Sequence, residues 1–251
     1  MIRIKHVCLF TIVFLTFSSC KEQYIISGKV TDFSGSPLDS VTVRLKNRAF
    51  NDLYETRSDS AGNYTLKVKK GNYYCLYAIK LSDYRVTRLE YWAWNVPVYG
   101  NLVINPQYDK MEIYGVNVFE PQVTPQETYM IYFRPMSLFK GIQLMEAQKV
   151  DKKAYEQAKR TEELLNEDKI VDISPATITA GELSVEINGT KARIVGINKI
   201  SEYGRGKIMY GYMVQVVKPG NNEKSKYDRI SITLHSAETG ETGKSEAFIK
   251  K

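Results

Sequence analysis

The stretch Ile26-Ser27-Gly28-Lys29-Val30-Thr31-Asp32-Phe33-Ser34-Gly35-Ser36-Pro37-Leu38, continued by Val41-Thr42-Val43-Arg44-Leu45-Lys46, decides the fold class. Val41, Val43 and Leu45 alternate with Thr42, Arg44 and Lys46, the two-residue period of a strand with one buried face. Just before it, Gly35 and Pro37 punctuate a tight connection. The pattern then repeats. Asp59-Ser60-Ala61-Gly62-Asn63 reads as a turn, Tyr64, Leu66 and Val68 alternate with polar neighbours, and Gly71 leads into Tyr73-Tyr74-Cys75-Leu76-Tyr77-Ala78-Ile79. Gly35 and Gly62 are expected at positive φ, where a Cβ would clash. Short strands at close spacing predict an all-β sandwich or barrel.

Strand-like material continues through residues 86–98, 101–104, 111–119 and 129–133. These segments are expected to enlarge the first sandwich, with Pro97, Pro106, Pro121, Pro125 and Pro135 confined to its edges. Residues 149–168 change character, with Ala154, Ala158, Leu164 and Leu165 among Lys, Glu and Gln. That composition predicts a polar helix capped by Asp151, with a narrow stripe through Tyr155, Ala158, Glu162 and Leu165. The β pattern returns after 170: Leu183, Val185 and Ile187 alternate ahead of Asn188-Gly189, a strong hairpin signal, and 212–216, 230–234 and 247–249 alternate again. The organisation expected is a leader over 1–19, an enlarged β-sandwich over 20–138, a helical linker over 139–169 and an immunoglobulin-like β-sandwich over 170–251. The fold class is thus mostly β.

The spaced series Gly28, Val30, Asp32, Gly35, Pro37-Leu38, Val41 and Val43, then Asp59, Gly62, Tyr64, Leu66, Val68, Gly71 and Tyr73, resembles the carboxypeptidase regulatory-like domain family. The resemblance spans residues 25–79 and implies a transthyretin-like sandwich. It implies no chemistry, because such domains accompany a protease without carrying its catalytic residues. Together with the N-terminus described next, it suggests a lipoprotein of the Bacteroidetes type.

Arg3 and Lys5 give a basic start, and residues 7–17 form an apolar run too short to cross a bilayer of about 30 Å. Phe17-Ser18-Ser19-Cys20 follows and is similar to the lipobox read by the lipoprotein signal peptidase, with Phe17 where leucine is usual. Cleavage before Cys20 would leave that cysteine to carry lipid, palmitate among its acyl chains, and to hold the chain on a membrane. Lys21 after Cys20 looks unlike the inner-membrane retention signal known in some bacteria, so the outer membrane is expected, with the leaflet open. Of the three cysteines, Cys8 would leave with the leader and Cys20 would be acylated. Cys75 then stands alone, without a disulfide partner, and reads as a buried structural thiol. The formal charge of +7 is spread over both signs, which argues against a nucleic-acid partner.

Catalytic chemistry is poorly supplied. One histidine, His235, remains after the leader, and no Gly-x-Ser-x-Gly turn presents a serine to it. A lone His and a lone Cys do not make a zinc site, and Tyr203-Gly204-Arg205-Gly206-Lys207 reads as a hairpin turn rather than a phosphate loop. No catalytic residue, metal or cofactor is therefore expected, and the chain reads as non-enzymatic: a lipid-anchored interaction or scaffold module for an envelope partner. A carbohydrate-binding surface lipoprotein is the alternative. Tyr91-Trp92-Ala93-Trp94 places two indoles on one face of a strand, roughly 7 Å apart. If that face meets solvent, Tyr91, Trp92 and Trp94 form a stacking platform that Tyr84, Tyr99 and Tyr108 could extend; if it meets the core, the indoles fill it. Asp39-Ser40-Val41 and Asp59-Ser60-Ala61 also look like bacterial O-glycosylation signals at Ser40 and Ser60, although turns favour the same residues.

Overall fold

The computed structural model describes residues 22–123, 125–150, 169–170, 172–204, 207–220 and 225–251. The leader, Cys20 and the Asp151 to Leu165 stripe lie outside the described residues. In chain order the strands are β1 (Gln23–Lys29), β2 (Thr42–Lys46), β3 (Asp52–Arg57), β4 (Asn63–Lys69), β5 (Gly71–Ile79), β6 (Tyr91–Val98), β7 (Leu102–Val103), β8 (Met111–Phe119) and β9 (Thr128–Ser137). After the helix α1 (Leu138–Val150) come β10 (Lys169–Ile170), β11 (Leu183–Ile187), β12 (Thr190–Lys191), β13 (Arg193–Gly204), β14 (Lys207–Val217), β15 (Tyr227–His235) and β16 (Thr242–Lys250).

The turns form where the residues demand them. Gly35 and Gly62 sit at φ 86 and 80, and Asn188-Gly189 at φ 52 and 80, the left-handed pair of a tight hairpin joining β11 to β12. Asp32 and Asp59 act alike: each Oδ1 accepts backbone N–H groups two and four residues on, at 2.8 to 3.0 Å. Alternation along β4 is complete, with Tyr64, Leu66 and Val68 buried and their neighbours exposed.

An eight-stranded sheet, ordered β12-β11-β15-β16-β6-β5-β2-β3, runs through the whole molecule. Its opposite faces carry separate cores. The three-stranded sheet β4-β1-β7 covers one face at the β3 end, enclosing Ile26, Val43, Leu45, Leu66, Leu76 and Tyr91. The five-stranded sheet β10-β14-β9-β8, with β13 beside β14, covers the other face and encloses Trp92, Trp94, Ile113, Phe133, Tyr212 and Ile232. β6 contributes to both cores, which is why Tyr91-Trp92-Ala93-Trp94 is buried without alternation. The structure is a mostly β assembly of two sandwiches that share their middle sheet.

This plan corrects the expected domain boundary. β8 and β9 pair with each other and β9 with β14, so they belong to the second sandwich although they precede the helix. Conversely β16, the last strand, pairs in parallel with β6 of the first. The segment 139–169 is therefore not a linker between sealed units. α1 begins at Leu138, where the Ser137 hydroxyl accepts the Lys140 N–H at 3.1 Å, earlier than the composition suggested. Residues 86–90 precede β6 in turns and extended chain instead of opening the strand. Pro97 and Pro135 lie inside β6 and β9 rather than ending them. Both are tolerated because one side of the strand is free of a partner there: β6 has lost β16 beyond Trp94, and β9 pairs with β14 only as far as Phe133.

A candidate carboxyl cleft between the sandwiches

Glu90 ends the loop before β6, and Glu112 is the second residue of β8. The packing of β8 on the shared sheet brings both carboxyl groups into one buried cluster, built around the Tyr77 and Trp92 rings, whose centroids lie 4.5 Å apart. Tyr77 OH donates to Glu90 Oε2 at 2.7 Å, and Trp92 Nε1 donates to Glu112 Oε1 at 2.8 Å. Burial raises both carboxyl groups above the ordinary glutamate value; for Glu112 the neighbouring Glu90 charge adds to it, and the rise is large. Both groups therefore resist ionisation, Glu112 the more strongly.

These carboxyl groups form the floor of a cleft of about 580 Å³. Leu89, Met136, Leu138, Leu144, Ile173 and Met209 give it apolar walls, and Tyr84, Arg85, Tyr114 and Arg134 supply the polar groups. Arg85 holds a left-handed φ of 60 in the loop that forms one lip, and Leu81 and Val86 of that loop are exposed. Arg134 is already engaged: its Nη2 lies 2.5 Å from Glu202 Oε2, and its guanidinium sits 5.6 Å above the Tyr114 ring.

The geometry limits the chemistry. His235 is exposed and spends Nδ1 on Thr242 Oγ1 at 2.8 Å. Cys75 is fully buried and its thiol is pushed up to about 12 by burial, so it is inert at neutral pH. Among the described residues, no three His, Cys, Asp or Glu side chains group as metal ligands, and no helix is long and apolar enough to cross a membrane.

The indole platform is not on the surface. Trp92 and Trp94 do share a face, with ring centroids 5.2 Å apart and planes at 18°, but that face is core: they are 5% and 3% exposed. Tyr91 points to the opposite core and is fully buried. Tyr108 is buried, Tyr84 lines the carboxyl cleft, and Tyr99 is half exposed elsewhere. Ser40 and Ser60 are both exposed at turns. Glu90 and Glu112 escaped the sequence reading, although each lies where a carboxylate interrupts an apolar run, Leu89-Glu90-Tyr91-Trp92 and Met111-Glu112-Ile113. Such an interruption in a strand buried on both faces is the signal that could have found them.

Solved structures match this chain only at low similarity. The major pilin subunit of Bacillus cereus matches at TM-score 0.28 and 11% identity, covering 91% of this chain and 69% of that one. A DUF3823 family protein from Parabacteroides merdae matches at TM-score 0.24 and 10% identity, covering 91% and 98%. The major pilin SpaA of Corynebacterium diphtheriae matches at TM-score 0.25 and 6% identity, covering 84% and 62%. No curated protein sequence matches. Residues 25–78, which hold the spaced glycines and alternating strands of β1 to β5, match the family model of the carboxypeptidase regulatory-like domain.

Proposed function

We propose that this chain is a non-enzymatic envelope protein, anchored through lipid on Cys20, that serves as an interaction or scaffold module with the carboxyl cleft as its partner-binding surface. The observation that carries this reading is the cleft itself: apolar walls over two buried carboxyl groups that resist ionisation. Largely apolar pockets with a few convergent polar groups and shifted titrations are the usual form of a binding site. A floor whose carboxyl groups resist ionisation costs a partner less to cover than two full charges would, and Arg134 is compensated by Glu202 before any partner arrives. The inertness of Cys75 supports binding over turnover. Lys21 following Cys20 supports the outer membrane as the address.

The test has two parts. Labelled palmitate fed to cells should enter the chain and fail to enter Cys20→Ala; equal labelling of both would overturn the anchor. A photo-cross-linking residue at Arg85, on the lip of the cleft, should trap one discrete envelope protein, while the same residue at Lys67, on the outer face of β4, should trap none. Matching adducts from both positions, or none from either, would remove the cleft as the partner surface.

A further inference from the structure

The shared sheet forks in its middle. β6 and β16 pair in parallel only over Trp92 to Trp94 and Ser245 to Ala247. Both strands nevertheless continue, β6 to Val98 and β16 to Lys250. Each stays bound to its outer neighbour: Tyr73, Asn72 and Gly71 remain opposite Val96, Pro97 and Val98, and Arg229, Asp228 and Tyr227 remain opposite Phe248, Ile249 and Lys250. Two inner backbone edges are thereby left without a strand partner in the centre of a sheet.

The fork opens at Asn95, which holds φ 56 inside a strand. That left-handed residue shifts the alternation by one, so that Ala93 and Val96 face the same core while Trp94 faces the other. β5 slips at the same level: Tyr73 and Leu76 share one core, and Cys75 lies in the other. Asn tolerates this conformation best among residues with a side chain, yet it still carries strain, and strain of this kind gathers where a structure is put to use.

The result is a groove of about 600 Å³, within the span of small-ligand sites. Its chemistry differs from that of the carboxyl cleft. Asn47, Asn72 and Asn95 line it with amides, Tyr74 and Tyr227 with phenol rings, and none of its lining residues carries a carboxylate. Asn47 is spent on its own turn, accepting the Ala49 and Asn51 N–H groups at 3.0 Å. Asn72 donates to Tyr99 OH at 2.9 Å and accepts from Tyr227 OH at 3.4 Å, and those two rings stack at 6.1 Å. The Asn95 amide is exposed and makes no hydrogen bond to the described residues.

We propose that this fork binds a short saccharide. An amide offers a donor and an acceptor side by side, which suits adjacent hydroxyl groups, and the unpaired strand edges add further donors and acceptors. Tyr74 and Tyr227 supply rings for the apolar faces of a sugar. Arg48 and Lys250 at the groove admit an acidic sugar as readily as a neutral one. A peptide added as a strand fits less well, because the fork is three residues deep, about 10 Å, and Pro97 has no N–H to give. The site is independent of the carboxyl cleft, so either can fail without the other.

The full chain, titrated separately with maltotriose, cellotriose, chitotriose and a galacturonic acid trimer, provides the test. Tryptophan emission serves as one readout, since Trp94 adjoins Asn95 and packs edge-on against Tyr74 at 5.5 Å, and calorimetry as the other. At least one trisaccharide is expected to bind. Asn95→Gly keeps the left-handed backbone while deleting the amide, and should weaken that binding roughly tenfold with an unchanged melting temperature. Absence of binding by every trisaccharide at millimolar concentration would overturn the proposal, as would binding that Asn95→Gly and Tyr74→Leu both leave intact.

Discussion

Replacing Glu112 by Gln exchanges a buried carboxylic acid for an amide of the same shape, and the structure fixes what should follow. In the wild type Glu112 takes the Trp92 Nε1 hydrogen bond on Oε1. An amide oxygen can still accept from the indole, so little packing is lost. What changes is the titration. Glu112 and Glu90 hold their protons in the folded protein to higher pH than the ordinary value of 4.5, at which an unfolded chain releases them. Their stabilising contribution is therefore complete below that value and is lost as pH rises through the folded-state titration. Each proton held by the folded state and absent from the unfolded one lowers stability by about 1.4 kcal/mol per pH unit. The wild type should thus lose stability as pH rises above about 4.5 more steeply than Glu112→Gln, by up to that slope, and the variant should be the more stable at the alkaline end. Urea unfolding followed by tryptophan emission, repeated across that range, measures the difference directly. Groups away from the pair titrate alike in both proteins and cancel, while Glu90, whose titration depends on its neighbour Glu112, belongs to the difference measured. Curves that run parallel across the range would show that Glu112 is an ordinary carboxylate and would refute its raised titration.

Gly28→Ala and Gly35→Ala should separate close approach from backbone strain. A Cβ at Gly28 would lie 1.8 Å from the Ile104 carbonyl oxygen, so denaturant melts should show a loss of about 3 kcal/mol or more. At Gly35 nothing lies within 4 Å, and only the left-handed φ of 86 costs, about 1 kcal/mol; equal losses would contradict the geometry. Cys75 should resist iodoacetamide at neutral pH in the folded protein and react in denaturant, as counted by mass spectrometry, and rapid native labelling would place the thiol outside the core. Trp92 and Trp94 should emit at short wavelength and escape acrylamide quenching, since both are core; red-shifted, quenchable emission would return them to the surface. Tyr129→Phe should cost about 1 to 2 kcal/mol by urea melting, because its hydroxyl donates to the buried Asp228 carboxylate at 2.7 Å, and no measurable loss would discount that bond.

Much of the local structure was legible in the sequence because it depends on near neighbours. Alternation at 41–46 and 64–68, the left-handed glycines 35 and 62 and the Asn188-Gly189 hairpin are all settled within a few residues of themselves. The shared face of Trp92 and Trp94 followed from strand period alone. Which side of the protein that face met did not, since burial depends on a second sheet whose strands lie up to about a hundred residues away. The domain boundary failed for the same reason: nothing local announces that β16 will cross to β6, or that β8 and β9 will leave the sandwich they follow. The pairing of Glu90 with Glu112 and the fork at Asn95 are also products of tertiary structure. One requires two sheets to close on each other, and the other requires two strands, far apart in the chain, to pair and then part.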